Sequence, residues 1–517
     1  MTMNSKNSDH QFPRFPEPYW REQIQFPSFP SLTKNILVDV GIVGAGITGI
    51  TTAYLLSQAG VKVALIDAGV ILNGTTGHTT AKVTAQHGVI YDELIQHFGE
   101  EKAKQYYQAN DQARVFIKDM VSSLNINCDF IEQDAYIYTN SEQELNKLEK
   151  EAKAYEKLGI PGSIVETMPL QIPMKRAVIM DKQAQFHPIK YLLPLVEEIK
   201  RAGGLIFENT TAVNVEEEDQ PKIITKNGHH VTCKYVVSCS HFPFYDGMGF
   251  YFARMHSERS YVVAVKTDQQ FPGGMYLSSE SPTRSIRSTP FGDDQLLLLG
   301  GDGHKTGQGI NTMKHYEALV QFGKEVLGLT DIQYRWSAQD LYSLDKVPYV
   351  GPITSSKENI LVATGYRKWG MTNSTAAAMM LKDLIIEGKH QYQDVFTPSR
   401  FKADPSIKEM VAQNVNVAVE LVKGKLETLH KYPEDVQVGE GVHVKVDGKK
   451  AGAYRDEDGV LHCVDTTCTH MGCEVEWNEG DRSWDCPCHG SRFSIDGDVI
   501  EGPADQPLKK LKIDKTS

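Results

Sequence analysis

The chain has 517 residues, 40% of them hydrophobic and 23% charged, a globular composition that excludes a disordered, collagen-like or coiled-coil chain. At roughly 100–200 residues per domain, this length implies about two to four domains. The formal net charge of −12 repels phosphate backbones and argues against a nucleic-acid partner.

No apolar run approaches the length of about 18 residues that a membrane-spanning helix needs. The N-terminal segment, residues 1–35, has no basic start followed by an apolar run, so it does not read as a secretory signal. A cytoplasmic location is the default expectation. Phe12, Phe15, Pro16, Pro18, Tyr19 and Trp20 give the segment the character of a tether that wraps the next domain or meets a partner.

Residues 36–43 read as a strand, 47–58 as a helix and 61–67 as a second strand. Two apolar, β-branched runs joined by a helix indicate parallel strands. Residues 92–124, 142–158 and 191–201 repeat apolar positions at helical spacing. Strand-like runs follow at 235–238, 261–265, 296–299 and 359–364, and a Gly-bracketed turn then opens a helix over 371–386. Residues 405–423 read as a linker helix. After Lys431 the pattern changes to short strands with Gly and Asp turns. The expected organisation is an extended segment (1–35), an α/β unit with an inserted mixed α+β region (36–400), a linker helix (401–430) and an all-β unit (431–517). From Lys431 to Ser517 there are 11 Lys and Arg against 18 Asp and Glu. That surplus suits solubility, or a docking face for a basic redox partner.

Gly44-Ala45-Gly46-Ile47-Thr48-Gly49 is a G-x-G-x-x-G between an apolar strand and a helix, with Asp67 ending the next strand. This is the context a dinucleotide fingerprint requires. Gly44 permits the tight turn, Gly46 lets the backbone approach a pyrophosphate at the helix N-terminus, and Gly49 lets helix and strand pack closely. Asp67 would accept hydrogen bonds from a ribose. The ligand could be NAD or FAD. Two further segments bear on the choice: the polar loop Gly74-Thr75-Thr76-Gly77-His78, and the second turn Gly365-Tyr366-Arg367-Lys368-Trp369-Gly370-Met371-Thr372.

These segments resemble the flavin-binding parts of the FAD-dependent glycine/D-amino-acid oxidase superfamily, over roughly residues 38–387. The resemblance implies a Rossmann-like FAD-binding domain with a mixed α+β substrate region. It implies FAD contacts from Gly44 to Gly49, Asp67, Thr75, Thr76, His78, Gly365, Gly370, Met371 and Thr372, and a backbone contact from Val213 to the adenine. Arg367 matches an arginine that in several relatives pairs with a substrate carboxylate, a role guanidinium geometry suits. His78 stands where the related dimethylglycine dehydrogenases carry a flavin-linked histidine. The Trp of their pattern is missing here, which favours a non-covalent contact or ordinary loop polarity. The stretch from Trp336 to Asp340, with Asp345 and Pro348, reads as architecture more than chemistry.

Five of the eight cysteines fall between Cys463 and Cys488, a clustering that points to metal rather than a disulfide framework. Cys468-Thr469-His470 and, 15 residues on, Cys486-Pro487-Cys488-His489 form the Cys-x-His…Cys-x-x-His pattern of a Rieske [2Fe–2S] centre. Thiolates hold one iron and imidazoles the other. Cys468 and Cys486 would ligate the first iron, His470 and His489 the second. Zinc accepts the same residue types, but the spacing and the extra Cys473 and Cys488 count against it. The resemblance to Rieske domains covers about residues 436–512. In the respiratory members, the positions of Cys473 and Cys488 form a loop-bridging disulfide. Ser491 matches a serine that hydrogen-bonds the cluster, and Gly502-Pro503-Ala504 a covering loop. Phe493 replaces a tyrosine of the high-potential respiratory proteins, which implies a lower potential. Cys463, Cys128, Cys233 and Cys239 read as buried thiols.

The two halves together suggest an FAD- and [2Fe–2S]-dependent dehydrogenase. It would oxidise a small amine or amino acid at a C–N bond and pass electrons singly through the cluster to an external protein or small-molecule acceptor. The alternative is an electron-transfer protein reduced by a partner. No helix carries the carboxylate–histidine pattern of an oxygenase iron; His304 and His315 are too far apart in sequence for one.

Overall fold

A computed structural model describes residues 12–13, 16–22, 24–309, 311–400, 403–426 and 431–513. Phe15 and the last linker positions, 427–430, lie outside the described residues. The apolar run at 36–43 is not one strand. Ile36–Leu37 pairs with His230–Thr232 in a small four-stranded sheet, whereas β1 (Val40–Val43) enters a larger one. Asp39 makes the break: its carbonyl accepts from Lys234 N and Tyr235 N, and its carboxylate from Lys62 N at 3.1 Å. α1 (Ile47–Gln58) then leads to β2 (Val63–Ile66), parallel to β1. Among the described residues this sheet has six strands, in the order Tyr349–Pro352, Ile360–Thr364, Tyr235–Ser238, β1, β2, Leu205–Phe207. All pairs are parallel except the first. Parallel strands with crossover helices bury both faces, and every residue of β1 and β2 is buried.

Two helices start or stop where local chemistry dictates. Residues 92–124 form two helices, Tyr91–Phe98 and Glu100–Ser123, because Gly99 turns the chain at φ 83. The helix expected from 191 begins at Pro188, with Pro at its first position and the His187 side chain accepting from Lys190 N.

The inserted region builds a nine-stranded sheet among the described residues. Two of its strands matter most: β3 (Met255–Thr267) and β4 (Ile332–Ser343), antiparallel neighbours with β4 at the sheet edge. Alternate side chains face opposite sides. Tyr261, Val263 and Val265 pack with Tyr316 and Leu319 of the helix Met313–Leu327, while Val262, Ala264 and Trp336 join the large core around α1. α2 (Ala403–Leu426) leads to the C-terminal β unit, a three-stranded and a four-stranded sheet between Gly441 and Glu501. Among the described residues no helix is long and apolar enough to cross a membrane.

The N-terminal segment wraps its own chain. Trp20 is fully buried in the large core and donates from Nε1 to Thr79 O at 2.6 Å. Trp20→Ala should destabilise the protein by about 3–5 kcal/mol, as for other buried aromatics. Chemical denaturation checks this; a change below about 1 kcal/mol would show that the tether is not part of the core.

Candidate functional site

The fingerprint, the 75–78 loop and the second glycine turn converge at the N-terminus of α1. Gly44 has φ 101, and a Cβ there would lie 2.5 Å from Cys239 O. A Cβ on Gly49 would lie 1.9 Å from Gly44 O, so the turn and the helix meet backbone to backbone. Thr76 Oγ1 accepts from Ile47 N at 3.1 Å, and Thr48 Oγ1 shares a 2.9 Å bond with Tyr366 OH. Asp67 accepts from Ala45 N at 2.7 Å and Gly69 N at 2.9 Å; burial raises its carboxyl and these bonds partly offset that. Thr210 N donates to Asp67 O, which brings the strand Ala212–Glu216, with Val213 at a register shift, up to Asp67. Gly365 turns at φ 78 into the helix Gly370–Glu387, where Met371 is buried and Thr372 Oγ1 donates to Thr84 O at 2.8 Å. His78 Nδ1 contacts Gly74 O, and Trp336 Nε1 donates to His78 O at 2.9 Å.

Sequence reasoning treated Cys239 as a buried thiol. It is one, and Cys239-Ser240-His241 also closes the turn from the other side, against Gly44. His241 has φ 63, and no partner among the described residues reaches its buried Nε2. The signal was available: this segment follows Tyr235–Ser238, the parallel neighbour of β1, and ligands bind at the carboxyl ends of such strands.

Arg367 lies in that same crevice at φ 56, its guanidinium 5.7 Å from the Tyr342 ring centre. Among the described residues nothing bonds its buried Nε and Nη1. Glu258 and Asp340 are direct cross-strand partners on β3 and β4, and Tyr342 forms a bridge with Tyr366. Burial pushes Asp340 up to about 7, with Lys368 pulling against it. For Glu258 burial is outweighed by His256 and Lys368, which hold it at about 2.

The second site is in the C-terminal unit. Cys468 and Cys486 are buried and hydrogen-bonded to each other, which lowers the Cys468 thiol and raises that of Cys486. The rings of His470 and His489 lie 4.9 Å apart, edge to face, and both Nδ1 atoms are buried without a partner among the described residues. Burial, then His470, pushes His489 down to about 4, so it is neutral, the form that binds metal. Two thiols and two orphaned imidazole nitrogens are a donor set that fits a [2Fe–2S] cluster. Cys473 and Cys488 form a disulfide, with Cα atoms 6.5 Å apart, and their sulfurs lie within 4.8 Å of Cys486 Sγ. Ser491 reaches Cys468, and its Oγ accepts from Ala504 N at 3.0 Å. Phe493 is fully buried among these cysteines. Cys463, Cys128, Cys233 and Cys239 are buried free thiols.

The two sites share a wall. On β4, Arg335, Ser337 and Gln339 point to the C-terminal unit: Arg335 Nη1 donates to Gly480 O at 2.7 Å, Ser337 Oγ to Asp481 at 2.6 Å, and Gln339 Nε2 to Gly490 O at 2.9 Å. Trp336 and Tyr342 face the other way, toward the 75–78 loop and the second turn. At the strand edge, Gln339 O accepts from Thr75 Oγ1 at 3.2 Å. β3 divides likewise. Arg259 Nε donates to Asp481 at 2.6 Å, and a Cβ on Gly490, whose φ is 82, would lie 2.1 Å from Ser257 Oγ. Asp481 also meets Arg492 and Tyr316. Burial alone would raise Asp481; Arg259 and Arg492 outweigh it and hold the carboxyl well below the usual range. None of these polar positions was flagged as a contact from sequence; an alternating polar row on an otherwise buried strand was the available signal.

His304 and His315, remote in sequence, stack at 4.4 Å, and His315 Nδ1 bonds Asp302 at 2.7 Å. The group is no iron site. His304 is committed to Tyr261 OH and Lys305 O, and the parallel rings do not converge.

Residues 39–384 match the FAD dependent oxidoreductase family and residues 428–512 the Rieske [2Fe-2S] domain. The chain belongs to the FAD-dependent oxidoreductase family and carries a C-terminal Rieske domain, so it is an oxidoreductase that uses FAD and a [2Fe–2S] cluster. It is 49% identical over 499 residues to a Bacillus subtilis (strain 168) protein named as a Rieske 2Fe-2S iron-sulfur protein, YhfW, covering 96% of this chain and 98% of that one. The Rieske region is 37% identical over 90 residues to the cytochrome b6-f complex iron-sulfur subunit of Chlorobaculum thiosulfatiphilum, which is 16% of this chain and 49% of that subunit. In fold, the chain is similar to glycine oxidase from Geobacillus kaustophilus (TM-score 0.59, 16% identity, 71% of this chain and 100% of that one). It is equally similar to L-proline dehydrogenase from P. horikoshii (TM-score 0.60, 16% identity, 71% and 98%).

Two outcomes follow. Asp481→Ala takes from buried Arg259 its close carboxylate partner, leaving it only Glu501 at 3.9 Å, while Arg492 keeps Asp485 and Glu501; the cost is about 3–5 kcal/mol. The variant should show a lower Tm and faster trypsin cleavage in the 401–430 linker; unchanged cleavage would contradict a fixed dock. Phe493→Tyr adds a hydroxyl beside the cluster sulfurs and should raise the cluster potential in a redox titration; no upward shift would contradict the role given to Phe493.

Proposed function

We propose that the chain oxidises a small amine or amino acid at FAD and passes the electrons singly through its own Rieske cluster to an external acceptor. The observation that carries this reading is the shared wall: Gln339 holds the flavin-side loop through its carbonyl and the cluster loop through its amide. FAD supplies hydride acceptance, and the cluster one-electron transfer.

The chain's own residues have distinct tasks in this reading. Gly44–Gly49 and Asp67 hold the dinucleotide, with Val213 at the adenine and Thr75, Thr76, His78, Gly365, Gly370, Met371 and Thr372 around the flavin. Cys468 and Cys486 hold one iron, His470 and His489 the other. Arg367 binds the substrate carboxylate with its two unbonded nitrogens. Glu258, ionised, and Asp340, cross-strand partners on β3 and β4, suit the cationic nitrogen.

Anaerobic EPR after incubation with a pool of small amines and amino acids, with dithionite as control, tests the reading. A Rieske signal from the pool is expected; a signal with dithionite alone would favour a protein reduced by a partner. With the substrate in hand, Arg367→Leu should erase about 10–100-fold of the preference for an amino acid over its decarboxylated amine, the worth of a charged hydrogen bond. An unchanged ratio of kcat/KM values would remove Arg367 from the site.

A further inference from the structure

The two cluster histidines are not equivalent. His489 is 6% exposed and enclosed by the wall, whereas His470 is half-buried, next to the exposed Met471. The flavin-domain segment 246–252 comes to the same place. It turns Met248 (76% exposed) and Phe250 (54% exposed) outward, at φ 67 and 53. Non-glycine residues seldom adopt this backbone region, and such strain persists when the surroundings fix it. Asp246 does so here: its carboxylate accepts from Phe250 N at 3.0 Å and Tyr251 N at 2.8 Å. The ring of Phe250 lies 6.2 Å from Phe252, and Phe252 lies 6.1 Å from His470 and 5.9 Å from His489, edge to face. A line of aromatic contacts thus joins an exposed ring to both histidines.

We propose that electrons leave through this face, and that it fits a small one-electron carrier protein with an apolar redox edge ringed by Lys and Arg. Met248 and Phe250, with Met471 next to His470 in sequence, supply the exposed apolar side chains. Asp246 and Asp505 both bear electrostatically on His470. The nearby cations are engaged: Lys357 pairs with Glu217, and Arg254 lies 4.4 Å over the Tyr349 ring while donating to Gly249 O and Pro398 O. The surrounding domain has 18 acidic against 11 basic residues. An apolar centre with a charged rim is the usual anatomy of a transient interface, and the rim charge sets the encounter rate. Each encounter oxidises the reduced cluster by one electron and reduces the carrier by one; no bond forms or breaks. This rests on the cluster, and on the acceptor half of the reading above, not on the substrate.

The test bypasses substrate. The holoprotein is reduced anaerobically with dithionite, freed of excess, and mixed in stopped flow with oxidised cytochrome c, a basic one-electron carrier, or with ferricyanide. The second-order rate with cytochrome c should fall about tenfold or more from about 0.01 M to about 0.15 M salt, as for steered association. At low salt the double variant Met248→Lys, Phe250→Lys should be about tenfold slower with cytochrome c, with no loss of rate toward ferricyanide and an unchanged cluster EPR signal. Leu37→Lys, at an exposed apolar position on the four-stranded sheet, should match the parent. A rate insensitive to salt and to the double variant would overturn the proposal. So would reoxidation by decylubiquinone but not by cytochrome c. Failure of the amine pool to reduce the protein would leave this test intact, so the two readings fail separately.

Discussion

A buried carboxylate, Asp481, is shared by the two halves of the molecule. Taking a charge out of water into a dry interface costs several kcal/mol unless opposite charge and hydrogen bonds meet it there. Asp481 is met from both sides: Arg492 comes from its own domain, and Arg259, Ser337 and Tyr316 from the flavin domain. Arg492 also reaches Asp485 and Glu501. The arrangement is satisfied only when the Rieske domain sits on β3 and β4 in this one register. A sliding or swinging domain would leave Arg259 buried without its acid and take from Asp481 one of its two arginines.

That constraint gives the wall its two functions. A β-strand sends successive side chains to opposite faces. β4 therefore offers Arg335, Ser337 and Gln339 to the Rieske domain, while Trp336 and Tyr342 face the flavin-binding turns. One residue of β4, Gln339, touches both the 75–78 loop and the cluster loop. The glycines at the contact have the same origin. Gly490, and Gly307 with φ 69, lie where a Cβ would press within 2.1 and 2.5 Å of the facing domain.

What was legible in the sequence was what is local in the chain. The fingerprint glycines, Asp67 and the Cys-x-His…Cys-x-x-His spacing each fall within short windows, because a turn around a phosphate or a loop around a cluster is made by neighbours in sequence. Helices with strong periodicity, such as Glu142–Leu158, were also readable to the residue. The break at Asp39 was hidden because an aspartate inside an apolar run reads as tolerated polarity until its partners Lys62 and Tyr235 are known. The docking row was hidden for a related reason. Arg259, Gln339 and Asp481 are separated by dozens of residues, and each looks like an ordinary polar residue of a strand or turn. Asp302, His304 and His315 show the converse: distance in sequence suggested no grouping, yet the fold stacks the two rings and spends their nitrogens on structure.

The central claim is that the flavin reduces the cluster inside one chain, across the wall that Asp481 holds in place. The most direct test is laser photoreduction of the bound FAD in the anaerobic holoprotein, with cluster reduction followed optically over a range of protein concentrations. The account predicts a first-order rate that does not change with concentration. A rate proportional to protein concentration would mean that electrons travel between molecules, and would contradict it.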